Sequence, residues 1–217
     1  MNIASEAASW LTDGAHWHGE DGFPHRIVQH LGYTALTVAI AAVIAVPLGL
    51  WIGHTGRLRG LAIAATGALR ALPTLGLLTL MVLWRGIGLT SPTIALVVLA
   101  IPPLLAGAYA GLEAVDRQTV DAARAIGMTE WQVLGKVEIP IALPLIIGGF
   151  RSAVLQVVAT ATIAAYIGLG GLGRYIIDGL AVRDYPQILA GATVIVVLAL
   201  ALDAVFAVVQ RSLATPR

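Results

Sequence analysis

Apolar segments about as long as a membrane is thick recur along this chain, and they constrain its fold more than any other feature. Five of them can be traced, at about residues 29–53, 61–84, 92–112, 145–169 and 188–209. A helix needs about 20 apolar residues to cross the hydrocarbon core of a bilayer. Only 12% of the 217 residues are charged, whereas soluble domains carry about 25%. The sequence therefore predicts an all-α membrane protein with about five transmembrane helices.

Composition excludes several classes of function. The chain contains no cysteine, which excludes disulfide bonds, thiol catalysis and cysteine-based metal sites. A net charge of +1 without a basic cluster argues against a nucleic-acid partner. No grouping of nucleophile, base and orienting residue indicates catalysis, so we do not expect an enzyme.

The segments around the spans predict the domain organisation. Residues 1–28 carry two tryptophans and scattered polar groups, and are expected to form an interfacial or loose outer segment. They lack the basic start and continuous apolar core of a cleaved signal peptide, so the first span is expected to direct insertion. Residues 29–211 are the predicted transmembrane domain, and residues 212–217 a cytoplasmic tail.

Basic residues predict the orientation, because cytoplasmic loops carry an excess of Lys and Arg. One side of the membrane receives Arg57, Arg59, Arg117, Arg124, Lys136, Arg211 and Arg217. The other side receives Arg26, Arg85, Arg174 and Arg183, diluted by Glu20, Asp21, Asp178 and Asp184. This bias predicts an outside N-terminus and a cytoplasmic C-terminus.

Prolines and glycines inside the spans predict how the helices pack. Pro73 interrupts the second span and Pro102-Pro103 the third, and proline kinks a membrane helix. Such kinks suit helices that line a pathway, although they equally suit packing. The motifs 49-GxxxG-53 and 107-GxxxG-111 allow close helix approach, and we favour packing within the chain over a dimer seam.

A stretch between the third and fourth spans, about residues 113–144, is too polar for a span and too long for a tight turn. Residues 120–126 are good helix formers, and three alanines leave one side of that helix small enough for close approach by a partner. Gly127 can end the helix in a left-handed conformation. Thr129 is then placed to cap a second helix, which we expect Pro140 to stop.

This stretch resembles the EAA loop of permease subunits of ATP-binding-cassette (ABC) importers. The family pattern is Glu-Ala-Ala, three residues, Gly, and later Ile-x-Leu-Pro. It appears here as Asp121-Ala122-Ala123, Gly127 and Ile141-Ala142-Leu143-Pro144, with Asp in place of the usual Glu. The resemblance implies the MetI-like transmembrane fold of type I importers with cytoplasmic coupling helices. It assigns coupling to an ATPase to Asp121, Ala122, Ala123, Gly127, Met128 and Thr129.

A second resemblance concerns the cargo. Residues 160–173, TATIAAYIGLGGLG, are similar to the end of the fourth span in osmoprotectant permeases, and residues 70–75 and 86–89 also resemble that group. Together the matches cover most of residues 30–180. They imply a cargo such as glycine betaine, choline or carnitine. Permeases of methionine importers share the EAA loop and a related glycine stretch, so methionine or another amino acid is the alternative.

The family resemblance also implies an assembly in the plasma membrane of a prokaryote. Its partners are two ABC ATPase subunits, a second permease subunit that is identical or paralogous, an extracytoplasmic solute-binding protein and the membrane lipid. ATP and Mg belong to the ATPase, and no cofactor is expected in this chain.

The alternative functions are a secondary transporter or channel that works without ATP, and a membrane scaffold. The first predicts buried charge or inverted repeats, and the sequence has few such charges and no clear repeat.

Candidate pathway residues are the glycine loop after span four and the polar or aromatic positions inside the spans. The loop at residues 168–173 lacks the Lys-Ser/Thr that would follow in a phosphate-binding loop. At its predicted outer location two readings are open. The loop forms a gate or a contact with a binding protein, or it is a plain connecting loop. The polar and aromatic side chains inside the spans either line the pathway or form hydrogen bonds between helices, and both alternatives stay open. The candidates are Pro73, Tyr109, Gln156, Thr160, Tyr166, Gly170 and Gly171.

Ionisable residues complete the list of candidates. Arg151 and Asp203 lie in or near spans, where charge is costly unless paired, and we predict a structural ion pair with Arg70 as a competing partner. The pair His16-x-His18 offers too few ligands for a metal, so no metal site is predicted. His54 is expected in a short cytoplasmic loop without a special role.

Overall fold

The protein is described by a computed structural model over residues 2–213, and every regular element within that range is helical. The helices are α1 (Ile3–Thr12), α2 (Phe23–Thr55), α3 (Arg59–Arg70), α4 (Thr74–Arg85), α5 (Thr90–Glu113), α6 (Arg117–Ala125), α7 (Glu130–Val133), α8 (Ile139–Ala164), α9 (Gly173–Val182) and α10 (Tyr185–Leu213). Short 3-10 turns lie at Gly14–Trp17 and Ala165–Ile167, and a π-helical turn at Leu134–Glu138. The all-α prediction is confirmed.

Four helices within residues 2–213 are long and apolar enough to cross a membrane alone: Phe23–Thr55, Thr90–Glu113, the continuous helix Glu130–Ile167, and Tyr185–Leu213. The helices α3 and α4 pass the same test together, although they meet at 87°. The expectation of about five spans is met when this bent pair counts as one.

The second span is broken, whereas the sequence predicted a kinked one. Helix α3 ends at Arg70, and Pro73 precedes α4 with φ −62° and ψ 117°, an extended conformation. Proline has no N–H and disfavours the helical conformation in the residue before it, so the chain leaves the helical path at Leu72. Both halves then pack against α5.

Contacts between the helix termini define two ends of the molecule. At one end Arg59 pairs with Glu113 at 3.1 Å, and the Gln210 side-chain amide donates to the Pro144 carbonyl at 2.9 Å. At the other end the Tyr175 hydroxyl donates to the Asp21 carbonyl at 2.5 Å. We call these the α6 end and the α9 end, after the short helices found there.

Helix α5 lies at the centre of the bundle and touches its neighbours through glycines. A Cβ atom added at Gly49 of α2 would lie 2.6 Å from the Ala108 side chain, and one added at Gly53 would lie 2.9 Å from the Tyr109 carbonyl. On another face of α5, a Cβ at Gly107 would lie 2.6 Å from the Gly149 Cα of α8. Both GxxxG motifs therefore pack within the chain, as predicted.

The segment that leads into α8 corrects a second prediction. Pro140 does not stop the helix begun at Glu130, because the chain widens into the π turn and continues as α8. The Ile139 N–H donates to the Leu134 carbonyl, five residues back. Pro140 follows this π turn directly inside the continuous helix, where the wider backbone accommodates the proline ring and its missing N–H.

The N-terminal segment is folded onto the α9 end rather than loose. Helix α1 packs on α10, and the Trp10 ring lies edge-on to Phe23 and to Tyr175, each at 5.6 Å between ring centroids. Burial raises the pKa of the Tyr175 phenol to about 12, so it remains a hydrogen-bond donor.

Helix α2 begins at Phe23, and the boundary predicted after residue 28 therefore falls inside it. Residues 214–217 of the predicted tail lie outside the described residues.

Arg151 and Asp203 join α8 to α10. The Arg151 Nε–H donates to Oδ1 of Asp203 at 2.6 Å and an Nη2–H donates to Oδ2 at 2.7 Å. This bidentate geometry is the strong form of an arginine–carboxylate pair. Asp203 thus pairs with Arg151, and the competing Arg70 is exposed on α3.

The glycine contacts of α5 yield a first prediction. We expect Gly107→Ala to destabilise the protein by about 1–3 kcal/mol, because the new methyl group has no room against α8. The matched control is Gly32→Ala in α2, where a Cβ would meet nothing within 4 Å. There alanine should be neutral or stabilising, since it is the better helix former. Thermal unfolding in detergent, followed by tryptophan fluorescence, measures both variants. Equal midpoints would contradict the close packing.

The pair between α8 and α10 yields a second prediction. Asp203→Asn should lower the unfolding midpoint and the yield of assembled protein, because it leaves the Arg151 charge without its carboxylate in the membrane. The double variant Arg151→Gln/Asp203→Asn should recover much of the loss, since two amides can hydrogen-bond without charge. A single variant that assembles normally but transports different substrates would overturn the structural role.

Candidate functional site

The coupling segment is the region from Arg117 to Glu138 at the α6 end, and its first helix ends as the sequence predicts. Asp116 caps α6 by accepting the Gln118 N–H at 3.1 Å. Gly127 follows the helix with φ +88°, a left-handed conformation. The Gly127 N–H donates to the Arg124 carbonyl at 2.9 Å and the Met128 N–H donates to the Ala123 carbonyl at 3.2 Å. These two bonds form a Schellman motif, which turns the chain sharply into α7.

The two faces of α6 differ in burial. Val120 and Ala123 are buried against Val133 of α7 and Ala142 of α8, in a cluster that Met128 also contacts. Ala123 is therefore a packing residue here, although the sequence grouped it with the small residues that a partner could approach. The opposite face is exposed and carries Asp121, Ala122, Arg124 and Ala125.

Exposed apolar side chains flank this face. Ile126 is 81% exposed and Trp131 is 83% exposed. The two residues lie on either side of the turn at Gly127 and Thr129. Large apolar groups this exposed at the end of the bundle, beside a small-residue face, form a surface suited to another protein.

A second cap starts α7. The Thr129 N–H donates to Oε1 of Gln132 at 2.9 Å, which is half of a capping box. Arg124 of α6 reaches across to Glu130 of α7 with its Nε and Nη2 donors, at 2.9 and 3.0 Å. Hydrogen bonding to this carboxylate raises the pKa of Arg124 further above its ordinary value. The two short helices are thus tied together at the turn.

His54 is a residue that the sequence analysis misjudged. It lies in the last turn of α2, not in a loop, and its side chain reaches the coupling segment. Its Nδ1 lies 2.5 Å from Oε2 of Glu138, and its Nε2 lies 3.1 Å from Oε2 of Glu130. No sequence signal could link residue 54 to residue 138, although a histidine just inside the basic end of a span was a possible hint.

A largely apolar cavity of about 510 Å³ lies beside these contacts. Helix α2 contributes one wall and the coupling segment the other. The lining residues are Pro47, Leu50, Trp51, His54, Thr55, Glu130, Trp131 and Leu134. The cavity therefore lies between the end of α2 and α7, beside the contact of His54 with Glu130.

The glycine loop lies at the α9 end and is packed against α2. The Gly171 N–H donates to Oε1 of Gln29 at 2.6 Å, with Gly171 at φ +82°. Side chains at Gly170 or Gly171 would clash with Gln29 and His30. Tyr166 projects outward just before the loop and is 65% exposed. The loop makes close backbone contacts, and a role as gate or contact surface stays a prediction.

The candidates within the spans have mixed environments. The Gln156 side-chain amide donates to the Leu99 carbonyl of α5 at 2.9 Å, so it forms the interhelical hydrogen bond that the sequence left open. The Thr160 hydroxyl donates within its own helix to the Gln156 carbonyl at 2.8 Å. Tyr109 of α5 is half-buried against the main apolar core, and Pro73 is exposed at the break between α3 and α4.

The histidines near the N-terminus have local partners. His16 stacks on the Trp10 ring at 3.6 Å between centroids, and His18 Nδ1 lies 2.8 Å from the Gly14 carbonyl oxygen. Across the part of the chain that the structure describes, no group of three or more His, Cys, Asp or Glu residues could hold a metal ion.

Comparison with known proteins shows which family the chain matches. Residues 45–215 match the family model described as binding-protein-dependent transport system inner membrane component. The glycine betaine/carnitine/choline transport system permease protein OpuCB of Bacillus subtilis is 33% identical over 193 residues, which cover 89% of this chain and 88% of the relative. The osmoprotectant import permease protein OsmW of Salmonella typhimurium is 37% identical over 180 residues, 81% of this chain and 84% of the relative.

Solved structures show the same fold. An inward-facing structure of the MetNI methionine ABC transporter aligns with a TM-score of 0.77 at 21% identity, covering 88% of this chain and 96% of that one. An amino acid ABC transporter solved with histidines aligns with a TM-score of 0.70 at 22% identity, over 98% and 99% of the two chains. The chain thus has the MetI-like type I fold, and it belongs to the inner-membrane components of binding-protein-dependent transport systems as the transmembrane permease subunit of an ABC importer.

Proposed function

We propose that this permease carries quaternary ammonium osmoprotectants, such as glycine betaine, choline or carnitine, and that the coupling segment is where its ATPase docks. The cargo proposal is supported by the names of the relatives: two that are 33% and 31% identical are named for glycine betaine, carnitine and choline or for choline, and one that is 37% identical is named for osmoprotectants. The methionine transporter resembles the chain at 21% identity, which is evidence for the fold rather than for the cargo.

The observation that carries the docking proposal is the exposed surface around the Schellman turn. Ala122 and Ala125 leave the α6 backbone accessible, and Ile126 and Trp131 offer apolar area that is exposed in the described part of the chain. Underneath, Val120, Ala123 and Val133 fix the two short helices to α5 and α8. A force applied to this surface is therefore passed to the spans and not absorbed by a flexible loop. Asp121, Gly127, Met128 and Thr129 shape the surface or its turn.

The proposed orientation follows from the same end of the molecule. Arg57, Arg59, Arg117, Arg124 and Lys136 lie at or near the α6 end, which we assign to the cytoplasm with the C-terminus. The α9 end, with α1, the glycine loop and Tyr166, then faces outward. There it is available to an extracytoplasmic solute-binding protein that delivers cargo.

Two permease subunits are proposed to form the translocation path, either identical or paralogous. In the single chain, α4 leaves Leu80, Leu83 and Trp84 exposed, and α10 leaves Val197 and Leu200 exposed, so a large apolar surface is available for a second subunit and for lipid. ATP binding closes the ATPase dimer, and the coupling segments follow as rigid bodies. The chain itself then performs no hydrolysis, and ATP and Mg are bound by the ATPase.

Docking is tested by placing a large charged side chain on the exposed face of α6. Ala122→Arg should release the ATPase subunits during purification and reduce uptake at least about tenfold, because burying an unpaired charge at an interface costs several kcal/mol. Ala181→Arg, at an equally exposed alanine of α9, is the matched control and should retain the ATPase. Retention of the ATPase by Ala122→Arg with full uptake would refute docking at this face.

Cargo is tested in the complete complex, reconstituted in vesicles with its ATPase and binding protein. Glycine betaine, choline and carnitine should each accelerate ATP hydrolysis, measured as phosphate release, whereas methionine and histidine should not. Stimulation by methionine alone would replace the cargo proposal with the amino-acid alternative. Uptake that continues without ATP would instead favour a secondary transporter.

A further inference from the structure

A continuous chain of ionisable side chains connects the coupling segment to the end of α2. Asp121 lies 3.5 Å from Arg124, and Arg124 holds Glu130 through two hydrogen bonds. Glu130 in turn lies 3.1 Å from the Nε2 of His54, whose Nδ1 contacts Glu138 at 2.5 Å. The imidazole therefore stands between two carboxylates that come from different parts of the coupling segment.

Glu138 is the most constrained member of this chain. It is only 5% exposed, and its position at the end of the π turn directs it toward α2. A buried carboxylate is costly unless it is paired and hydrogen-bonded, and His54 is the group that meets it here. The π turn is also a wider and less favourable form than the α-helix, and such turns are frequent at functional sites.

Packing does little to hold the end of α2 against α7. The cavity of about 510 Å³ separates Trp51 and Thr55 on one wall from Trp131 on the other. Leu50 adds an apolar contact to the cluster beneath α6, but such contacts are non-directional and allow sliding. The two hydrogen-bond-length contacts of His54 are directional, so they set the position of α2 relative to the coupling segment.

Helix α2 can pass this constraint on to the core. Gly53 directly precedes His54 and Gly49 lies about one turn earlier. Both pack so closely on α5 that an added Cβ would lie 2.8 Å from the Leu105 carbonyl oxygen at Gly49 and 2.9 Å from the Tyr109 carbonyl oxygen at Gly53. A displacement of the coupling segment that is transmitted to His54 would therefore reach α5 without an intervening flexible segment.

We propose that His54 and Glu138 are positioning residues of the transport cycle: together with Glu130 they clamp α2 to the coupling segment, so that both move as one body when the ATPase acts. The proposal rests on docking of the ATPase at the coupling segment. It adds a second route of force transmission, through α2, to the direct route through α8.

The first test measures how many cargo molecules are imported per ATP hydrolysed in the reconstituted complex. His54→Ala should preserve binding-protein-stimulated hydrolysis while lowering this ratio about fivefold or more, the effect of losing a coupling energy of typical size. His25→Ala is the matched control, since His25 is exposed near the other end of the same helix. The double variant His54→Gln/Glu138→Gln keeps a neutral hydrogen bond and should restore part of the ratio.

The outcomes separate this inference from the proposed function. A wild-type complex without substrate-stimulated hydrolysis would defeat the proposed function. A coupled wild type with an equally coupled His54→Ala variant would defeat only the clamp. A variant that loses assembled protein but keeps its import per ATP would reduce His54 to a folding role.

The second test needs no variant of the clamp itself. Because the chain lacks cysteine, Thr55→Cys and Lys136→Cys can carry spin labels at two defined exposed sites. The distance between the labels should be the same in the nucleotide-free complex and in the complex trapped with ATP. A changed distance would show that α2 and the coupling segment move separately, and would overturn the proposal.

Discussion

The close, glycine-mediated packing of α5 against α2 and α8 is the constraint on which the rest of the structure depends. Inside a membrane the hydrophobic effect does not drive helices together, and close packing of small residues takes its place. Gly49 and Gly53 bring α2 onto one face of α5, while Gly107 meets Gly149 of α8 on another. At these positions the three spans approach one another too closely to admit even one added methyl group on the glycines. Any movement of one must be shared by the other two.

The α6 end of the molecule is attached to this close-packed core. The coupling segment is seated on α5 and α8 by a small apolar cluster around Val120 and Val133, and it presents its exposed face away from the bundle. The clamp at His54 adds α2 to the same body. Beside it, a cavity lined by Trp51 and Trp131 lies between the end of α2 and α7, so the connection between these two helices depends on a few polar atoms.

Much of this arrangement could be read from the sequence, and the errors have identifiable causes. Local composition predicted the spans, the left-handed turn at Gly127 and the packing of both GxxxG motifs within the chain. The effects of Pro73 and Pro140 on their helices were harder to predict, because the effect of a proline depends on its surroundings. At Pro73 the chain breaks by 87°, whereas at Pro140 a preceding π turn absorbs the ring and the helix continues.

The sequence by itself determined the number and apolar character of the spans, the polar segment between the third and fourth, and the family to which that segment belongs, because these properties reside in runs of neighbouring residues. Only the tertiary structure decided that Asp203 pairs with Arg151 rather than with Arg70, that Gln156 hydrogen-bonds to α5, and that His54 bridges Glu130 and Glu138. These partners are separated by 52 to 84 residues along the chain. Their encounter depends on how the helices are rotated and staggered, and that is set by close packing over whole helix faces.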